Sequence, residues 1–557
     1  MKFILFAFFS VMTLCAGQPD LIVTPQQFGA KGDGVSDDAP AFRAAFAALA
    51  ANGGGKMIVN DAGQPYIVGS WDTTPRDGLL FVALIPSNVT ITGNGTIKMQ
   101  DNVYPYPTDG TGGVYYGVNL FGSFSKSNIT ISGLTFDMNG HNNPQPPGLP
   151  HIMNTIRFYS GANVVIAGVT IKNSPGHNMI VFEDNAGDGA VIRDSVFSVG
   201  GRGVRGNTLN SDFSFLYSEW GHTQFLNNTI FQDPSNDHAS GGIELHGSHG
   251  LAQGNRIENC NPAIWIASTP GAVDDVIVTQ NTIVNANRGI AFWVGSDVLS
   301  NVIVASNTIS VHYNPVFTYL YGLGDDAAGI IVPWLGASYS GQYASWTANG
   351  APIRNLTIKG NTINGSNGML GLNTMPGISI HGVHNALIAD NVIHDIGSNA
   401  IELRGSPWGN RNVIIVRNDL RNFGLSPSVS GHEAIAITTT GASSVPAAAG
   451  FQSTNVAIFA NNLVGAPNIT SQSFYFDWAQ GGMFNLTTGV NTTSNIIAPA
   501  AGAQTAREGM AVRTPVELVG SQPLQSACTT GDITWRTAPD TLDGWICAGG
   551  VWEVIGH

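Results

Sequence analysis

Apolar and polar residues alternate with a period of two through most of the chain, in short stretches such as "VVIAGVTIKN", "DVIVTQNTIV" and "NVIIVRNDL". Period two belongs to half-buried β-strands, whose side chains point alternately to opposite faces. Glycine and asparagine separate the stretches. An Asn-x-Ile/Leu unit recurs at Asn228, Asn255, Asn281, Asn307, Asn361, Asn391, Asn418 and Asn461. The steps are 27, 26, 26, 54, 30, 27 and 43 residues, so the period is near 27 and the step of 54 reads as two periods. A unit of this size cannot bury its own apolar face, so successive units must stack around a shared core. Strands of about five residues at this spacing make roughly three per turn, which predicts an all-β, parallel β-helix of three-stranded coils. The repeated asparagines are expected to stack at a tight turn, in left-handed dihedrals, with their amides bonding along the stack. Propeller blades, at ~40 to 50 residues, do not fit the period.

One stretch breaks the pattern ahead of the repeats. "SDDAPAFRAAFAALAANGGG" predicts an amphipathic helix, with Asp acceptors at its start, Pro40 in its first turn, apolar Phe42, Ala45, Phe46 and Leu49, and a glycine stop. Such a helix covers the open end of a solenoid, where strand edges are otherwise unpaired.

Composition narrows the function. Of 557 residues only 11% are charged, 69 are glycine, and the net charge is -14, with no basic stripe. Nucleic-acid binding is excluded on that balance, because phosphate is repelled. The opening "MKFILFAFFSVMTLCAGQPD" has one Lys, a short apolar run and small residues around Cys15 and Gly17, the pattern of a secretory signal over residues 1–17. The run is too short for a membrane span, which needs about 20 apolar residues, and no later stretch supplies one. A secreted protein, extracellular or periplasmic, with no membrane association after signal removal, is expected. Residues 18–500 then form the β-helix. "APAAGAQTAREG" is a linker, and 501–557 form a small C-terminal β-module with Pro-Asp and Asp-Gly turn pairs. Cys528 and Cys547 have a spacing that permits a disulfide, Cys260 suits a core position, and no cysteine pattern indicates a metal.

The segment "FGAKGDGVSDDAPAFRAAFAALAANGGGKMIV" resembles the opening of the pectate lyase-like superfamily of right-handed parallel β-helices. That group includes relatives of glycoside hydrolase family 28, rhamnogalacturonase-like proteins, polysaccharide epimerases and phage tailspikes. The resemblance covers about thirty residues, with a weaker repeat likeness to about residue 465. It implies a right-handed, carbohydrate-active β-helix without saying which reaction, since one fold hosts many. The polygalacturonase pattern is incomplete: Asp274-Asp275 and Asp325-Asp326 are present, but Asn-Thr-Asp and Arg-Ile-Lys are absent. Neither the aspartates and arginine of calcium pectate lyases nor the epimerases' Asp-Pro-His is found.

Aligning the strand that follows each turn gives "IRFY" at 156, "IVFE" at 180, "VRGN" at 204, "IELH" at 243, "IWIA" at 264, "IAFW" at 290, "ISIH" at 378 and "IELR" at 401. Their second residues form one outward column, Arg157, Val181, Arg205, Glu244, Trp265 and Ala291, and later Ser379 and Glu402. Their fourth residues form another, Tyr159, Glu183, Asn207, His246, Ala267 and Trp293, and later His381 and Arg404. Adjacent coils lie ~4.8 Å apart, so Arg157, Glu183, Arg205, Glu244 and His246 fall on one patch about four coils long. Arginine grips uronate carboxylates in a bidentate way, and aromatic faces stack on sugar rings. The competing reading is a set of cross-strand ion pairs worth under ~1 kcal/mol. That reading is favoured for Glu402 and Arg404, while Trp265 and Trp293 are open between a sugar platform and packing.

Candidate catalytic residues are therefore Glu183, Glu244, His246 and Arg205, and candidate substrate-binding residues Arg157, Tyr159, Asn207, Trp265, Trp293, His177, Asp237 and His238. The last two lie in "QDPSNDHAS", which with "TLNSDFSFLYSEWGH" reads as an insertion walling the groove; Asp137, His141 and Asp233 are further loop residues within reach. The expected partner is a polysaccharide. Hydrolysis by paired carboxylates leads; β-elimination on a uronic polymer, with His246 as base and Arg157 or Arg205 as clamp, and a non-catalytic glycan-binding adhesin are the alternatives. No cofactor or metal is required, except that a lyase would admit a calcium ion.

Overall fold

The computed structural model describes residues 21–76, 79–103, 117–143, 152–201, 213–233, 241–294, 297–312, 327–332, 353–365, 376–404, 409–426, 433–438, 453–465, 472–476, 484–488 and 492–494, and 517–519, 533–538, 541–548 and 551–556 of the tail. Each coil of the solenoid places one strand in each of three parallel ladders. In one coil these are Gly241–Leu245, Leu251–Gln253 and Arg256–Glu258. The coil before it uses Ser214–Ser218, Gln224–Leu226 and Thr229–Phe231, and the one after uses Ile264–Ala267, Val273–Thr279 and Thr282–Ala286. The third ladder is a 14-stranded sheet. The first and second merge into one 27-stranded sheet, because two long strands, Gly117–Ser132 and Ile152–Ala167, run through the corner between them. The architecture is a right-handed parallel β-helix, the hand expected of parallel crossovers.

Alternate residues of every ladder point into one apolar core that runs the length of the coils, from Phe42 at one end to Leu463 at the other. The helix Ala39–Ala51 closes the first end as expected, burying Phe42, Ala45, Phe46 and Leu49. The rings of Phe42 and Phe46 lie 5.8 and 5.5 Å from that of Phe121. Asp38 does not cap the helix; its carboxylate accepts the N–H groups of Lys31 and Gly32 at 2.7 and 3.1 Å and fixes the preceding loop.

The repeated asparagines do stack. Asn255 donates its side-chain amide to the Phe225 carbonyl at 2.8 Å and to Asn281 Oδ1 at 2.9 Å, and that same oxygen accepts the Asn255 N–H at 2.9 Å. The pattern repeats from Asn228 to Asn461, all buried. Two expectations are corrected. The left-handed dihedral falls on the preceding residue, Asn227, Gly254, Gln280, Ser306, Gly360, Asp390, Arg417 or Ala460, because the ladder asparagine must be extended to start the next strand. The 54-residue step is one coil, not two: Asn307 bonds directly to Asn361 at 2.9 Å and Thr308 pairs with Thr362. Left-handed asparagines form a separate ladder nearer the surface, Asn301, Asn355, Asn385, Asn412 and Asn455, exposed at its start and half-buried after, joined by amide bonds of 2.9 to 3.0 Å.

Cys260 fills a core position, and burial raises its thiol pKa well above the ordinary value. The tail contains a four-stranded sheet, Glu517–Val519, Ile533–Ala538, Thr541–Ala548 and Val551–Gly556. The signal segment and Cys528 lie outside the described residues, and of Cys547 only the strand is described. No helix among the described residues is long and apolar enough to cross a membrane.

Candidate active site on the first ladder

The inward residues of successive first-ladder strands, Ile156 and Phe158, Ile180 and Phe182, Leu216, Ile243 and Leu245, sit in the core. The residues between them therefore face away from it. Arg157 pairs in register with Val181 and Tyr159 with Glu183. The next rung is not the expected one: Val181 pairs with Tyr217, which pairs with Glu244. Glu219 continues this register, its N–H donating to the Phe182 carbonyl at 2.8 Å, and His246 follows, its N–H donating to Ser218 at 2.8 Å. Beyond lie Trp265 beside Glu244, then Ala291, with Trp293 beside Ala267.

Four of the five residues expected on the patch, Arg157, Glu183, Glu244 and His246, are thus brought together. Arg205 and Asn207 lie outside the described residues, and their places in the columns are taken by Tyr217 and Glu219. The stretch read as a loop insertion contains the strand Ser214–Ser218. The Asn-x-Ile repeat carries the signal that locates it. Ile243 precedes Asn255 by 12 residues and Ile264 precedes Asn281 by 17; Leu216 precedes Asn228 by 12, whereas Val204 precedes it by 24.

The inner half of the patch is closed. Glu244 is buried, accepting a hydrogen bond from the Ser214 hydroxyl and facing His246 Nε2 at 3.1 Å. A side chain at Gly241 would start 2.7 Å from the Ser214 hydroxyl, so the opening glycine of "GGIELH" makes room for the hydroxyl that donates to Glu244. His246 Nδ1 lies 2.7 Å from the Thr269 carbonyl, which only accepts, so Nδ1 is the donor there. Burial acts to lower the His246 pKa, but the Glu244 hydrogen bond and charge, the Thr269 carbonyl and the Glu219 charge outweigh it and hold it above the ordinary value. With both ring nitrogens committed, His246 has no free lone pair, and the base role considered for it has no atom to act through.

The outer half is more open. Arg157, itself buried, forms an ion pair with Glu183, whose side chain keeps 25% of its exposure. Desolvation raises the Glu183 pKa; Arg157 opposes this, and the like charge of Glu219 adds to it, with a net upward direction. His177 stands half-buried just before the Glu183 strand, and its charge opposes that rise. The buried Trp220 donates its indole N–H to the Glu183 carbonyl at 2.9 Å and fixes the backbone there. Glu219 accepts on both oxygens, from the Tyr217 hydroxyl at 2.8 Å and from the Asp184 N–H at 2.8 Å. The Tyr217 phenol is pushed far up by burial and by Glu219, Glu244 and Glu183, so it stays protonated; its ring packs 4.5 Å from that of His246.

Tyr159 is exposed and tilts against Phe124 at 5.8 Å. Trp265 is buried and packs 5.8 Å from Trp293 in an apolar cluster with Ala291, Ala328 and Ile331, so packing accounts for Trp265, while Trp293 retains some exposure. Asp237 and His238 lie outside the described residues. Asp137 belongs to the third ladder, where it binds Asn139 and Asn173, and His141 follows it there; neither joins the patch. Asp274 and Asp275 lie in the second-ladder strand Val273–Thr279, bound to Ser300 and Asn301 and to His249, and do not join the patch. Among the described residues no group of three or more acidic, histidine or cysteine side chains is arranged to hold a metal ion. The patch carboxylates are taken up by Arg157, Tyr217 and His246, and do not fit a calcium site.

Residues 154–328 match the family model described as the right handed beta helix region. Over 121 residues the chain is 40% identical to mannuronan C5-epimerase AlgE5 of Azotobacter vinelandii, and equally to AlgE2, a match covering 21% of this chain and 11% of the relative. The chain thus spans about a tenth of the length of these curated relatives. Among solved structures, the tailspike protein of E. coli bacteriophage HK620 in complex with a pentasaccharide aligns with a TM-score of 0.57 at 16% identity, covering 86% of this chain and 80% of that one. A mutant of that tailspike in complex with a hexasaccharide gives 0.62 at 14% identity, covering 85% and 77%. At such identities the likeness establishes the fold, the right-handed parallel β-helix.

Proposed function

We propose that the protein is a secreted carbohydrate-active enzyme that hydrolyses a polysaccharide, with Glu183 as proton donor and Glu219 as its partner carboxylate. The observation that carries this reading is their placement on adjacent rungs of an open column, with the Glu183 pKa raised by burial and by Glu219 itself. A carboxyl whose pKa is raised gives up its proton to a glycosidic oxygen less far from neutral pH than an ordinary one, and a neighbour held by two donors supports the charge that develops. One coil separates their backbones by ~4.8 Å, which puts the two side chains on neighbouring rungs of one column. Tyr217 orients Glu219, while Glu244 and His246 form the fixed, closed base of the site. A polysaccharide partner agrees with the epimerase relatives and with the saccharide-bound tailspikes.

A second reading, β-elimination on a uronic polymer, is favoured by Arg157 beside the acid and by the protonated Tyr217 phenol as donor to the leaving oxygen. One experiment separates the readings. The mature protein is incubated with neutral and uronic polysaccharides, following reducing ends and the ultraviolet absorbance of unsaturated uronates. New reducing ends without absorbance, abolished by Glu183→Gln, are the expected result. Both signals together indicate elimination, and neither indicates a protein that only binds glycans.

A further inference from the structure

The second ladder changes character towards the C-terminal end of the solenoid. Its outward positions run in register through Ile277, Ile303, Thr357, Leu387, Ile414 and Ala457, and through Thr279, Ala305, Lys359, Ala389, Val416 and Phe459. In the earlier coils these positions are polar or partly exposed except for Ala305: Ile277, Thr279, Ile303 and Thr357 are half-buried and Lys359 exposed. In the last three they are apolar throughout. Leu387, Ala389, Ile414, Val416 and Ala457 are each 5% exposed or less, with Phe459 packed against them. They form a cluster of their own, separate from the core on the opposite face of the same strands. The sequence shows the switch directly, since "ALIA", "VIIV" and "VAIF" lose the alternation and read as strands covered on both faces.

An outward face of this kind has to be covered, as a contiguous apolar patch on a solenoid flank invites association. The last strand of the C-terminal sheet, Val551–Gly556, lies against Val383–Ala389 and Ile353–Lys359. We propose that the C-terminal sheet is a lateral cover that docks in cis on the apolar patch of Leu387, Ile414, Val416 and Phe459. The tail is then neither an end cap nor a detached module. This assignment is independent of the chemistry proposed for the first ladder.

The test uses the full-length protein with a photoreactive phenylalanine analogue in place of Leu387. Irradiation is expected to give a species of monomer mass whose cross-linked peptide comes from residues 517–556. Cross-links only in a species of dimer mass or larger, or none to residues 517–556, overturn the proposal. A second measurement covers the case in which position 387 tolerates no large group. In the full chain, Ile414→Glu is expected to speed proteolysis within 517–556 several-fold, whereas Ile277→Glu, in the same column four coils earlier, leaves it unchanged. Equal proteolysis of both variants and the parent also overturns it.

Discussion

The first ladder carries two polar clusters on its outward face, and they use the same residue types to opposite ends. At one, Glu244 and His246 stand beside Arg157, Glu183 and Glu219; at the other, Ser379 and His381 stand beside Glu402 and Arg404. Three coils bearing Trp265, Ala291, Trp293 and Ile331 separate them. His246 faces carboxylates and its pKa is held above the ordinary value. His381 is buried beside Arg404, its pKa is driven well below that value by burial and then by the arginine, and its Nδ1 has no partner. Access differs as well. The first cluster leaves Glu183, Tyr217 and Glu219 half-buried, whereas Ser379, His381 and Glu402 are all closed off. In the second, Glu402 is fully committed, to Arg404 Nε at 2.9 Å and to the Asn399 amide at 2.7 Å. A glutamate on an outward rung is therefore a candidate acid only where a like charge stands on the next rung and solvent reaches it; an arginine beside it in a closed site makes it structural.

That contrast predicts separable effects. The largest is on turnover: Glu183→Gln is expected to reduce the initial rate of reducing-end formation by ~10²- to 10⁴-fold, the usual worth of a general acid. Glu402→Gln leaves it unchanged, and equal losses in both would erase the distinction. Next, Arg404→Met uncovers a buried carboxylate and is expected to lower the unfolding free energy by about 2 to 3 kcal/mol in urea titrations, below the range for a fully buried pair because Arg404 keeps some exposure. Its turnover should match the parent. Smaller again, Tyr217→Phe removes one of the two donors on Glu219 and should slow turnover by roughly tenfold, with stability little altered.

The smallest effect is in the pH dependence of stability, where the two imidazoles have opposite signs. His246 binds its proton more tightly in the folded state, so its contribution is complete below pH ~6.5 and is lost as pH rises through its raised folded value. His381 binds its proton less tightly when folded, so its contribution is complete above pH ~6.5 and is lost as pH falls towards its depressed value. Urea midpoints measured across pH should show His246→Gln flattening the alkaline limb and His381→Gln the acid limb. The reverse assignment would contradict the charge states given to the two clusters.

Much of this was legible in the sequence. Period-two alternation placed Arg157, Glu183, Glu244, His246, Trp265 and Trp293 in the columns they occupy, because an outward position is fixed by parity once the strand is found. The asparagine repeat gave the coil period for the same reason: a buried amide must find its donors and acceptors in the next coil. Tyr217 and Glu219 are hidden in the sequence because their strand has serines, Ser214 and Ser218, on either side of the inward Leu216, so the apolar half of the alternation is broken, while "VRGN" mimics it. The 54-residue step looks like two periods because period counts length along the chain, whereas the ladder counts coils, and an insertion adds length without adding a coil. Charge states were not legible at all. "IELH" and "ISIH" differ little on paper, and what separates His246 from His381 is the neighbour on the adjoining rung.

The central claim is that burial and the Glu219 charge outweigh Arg157 and raise the Glu183 carboxyl above its ordinary pKa. The direct measurement is a ¹³C NMR titration of the Glu183 carboxyl, assigned through Glu183→Gln, in the parent protein and in Glu219→Gln. A midpoint above the ordinary carboxylate range in the parent, falling when the Glu219 charge is removed, is the predicted result. A midpoint at or below that range, indifferent to Glu219, would make Glu183 a permanently ionised partner of Arg157 and leave the patch without its acid.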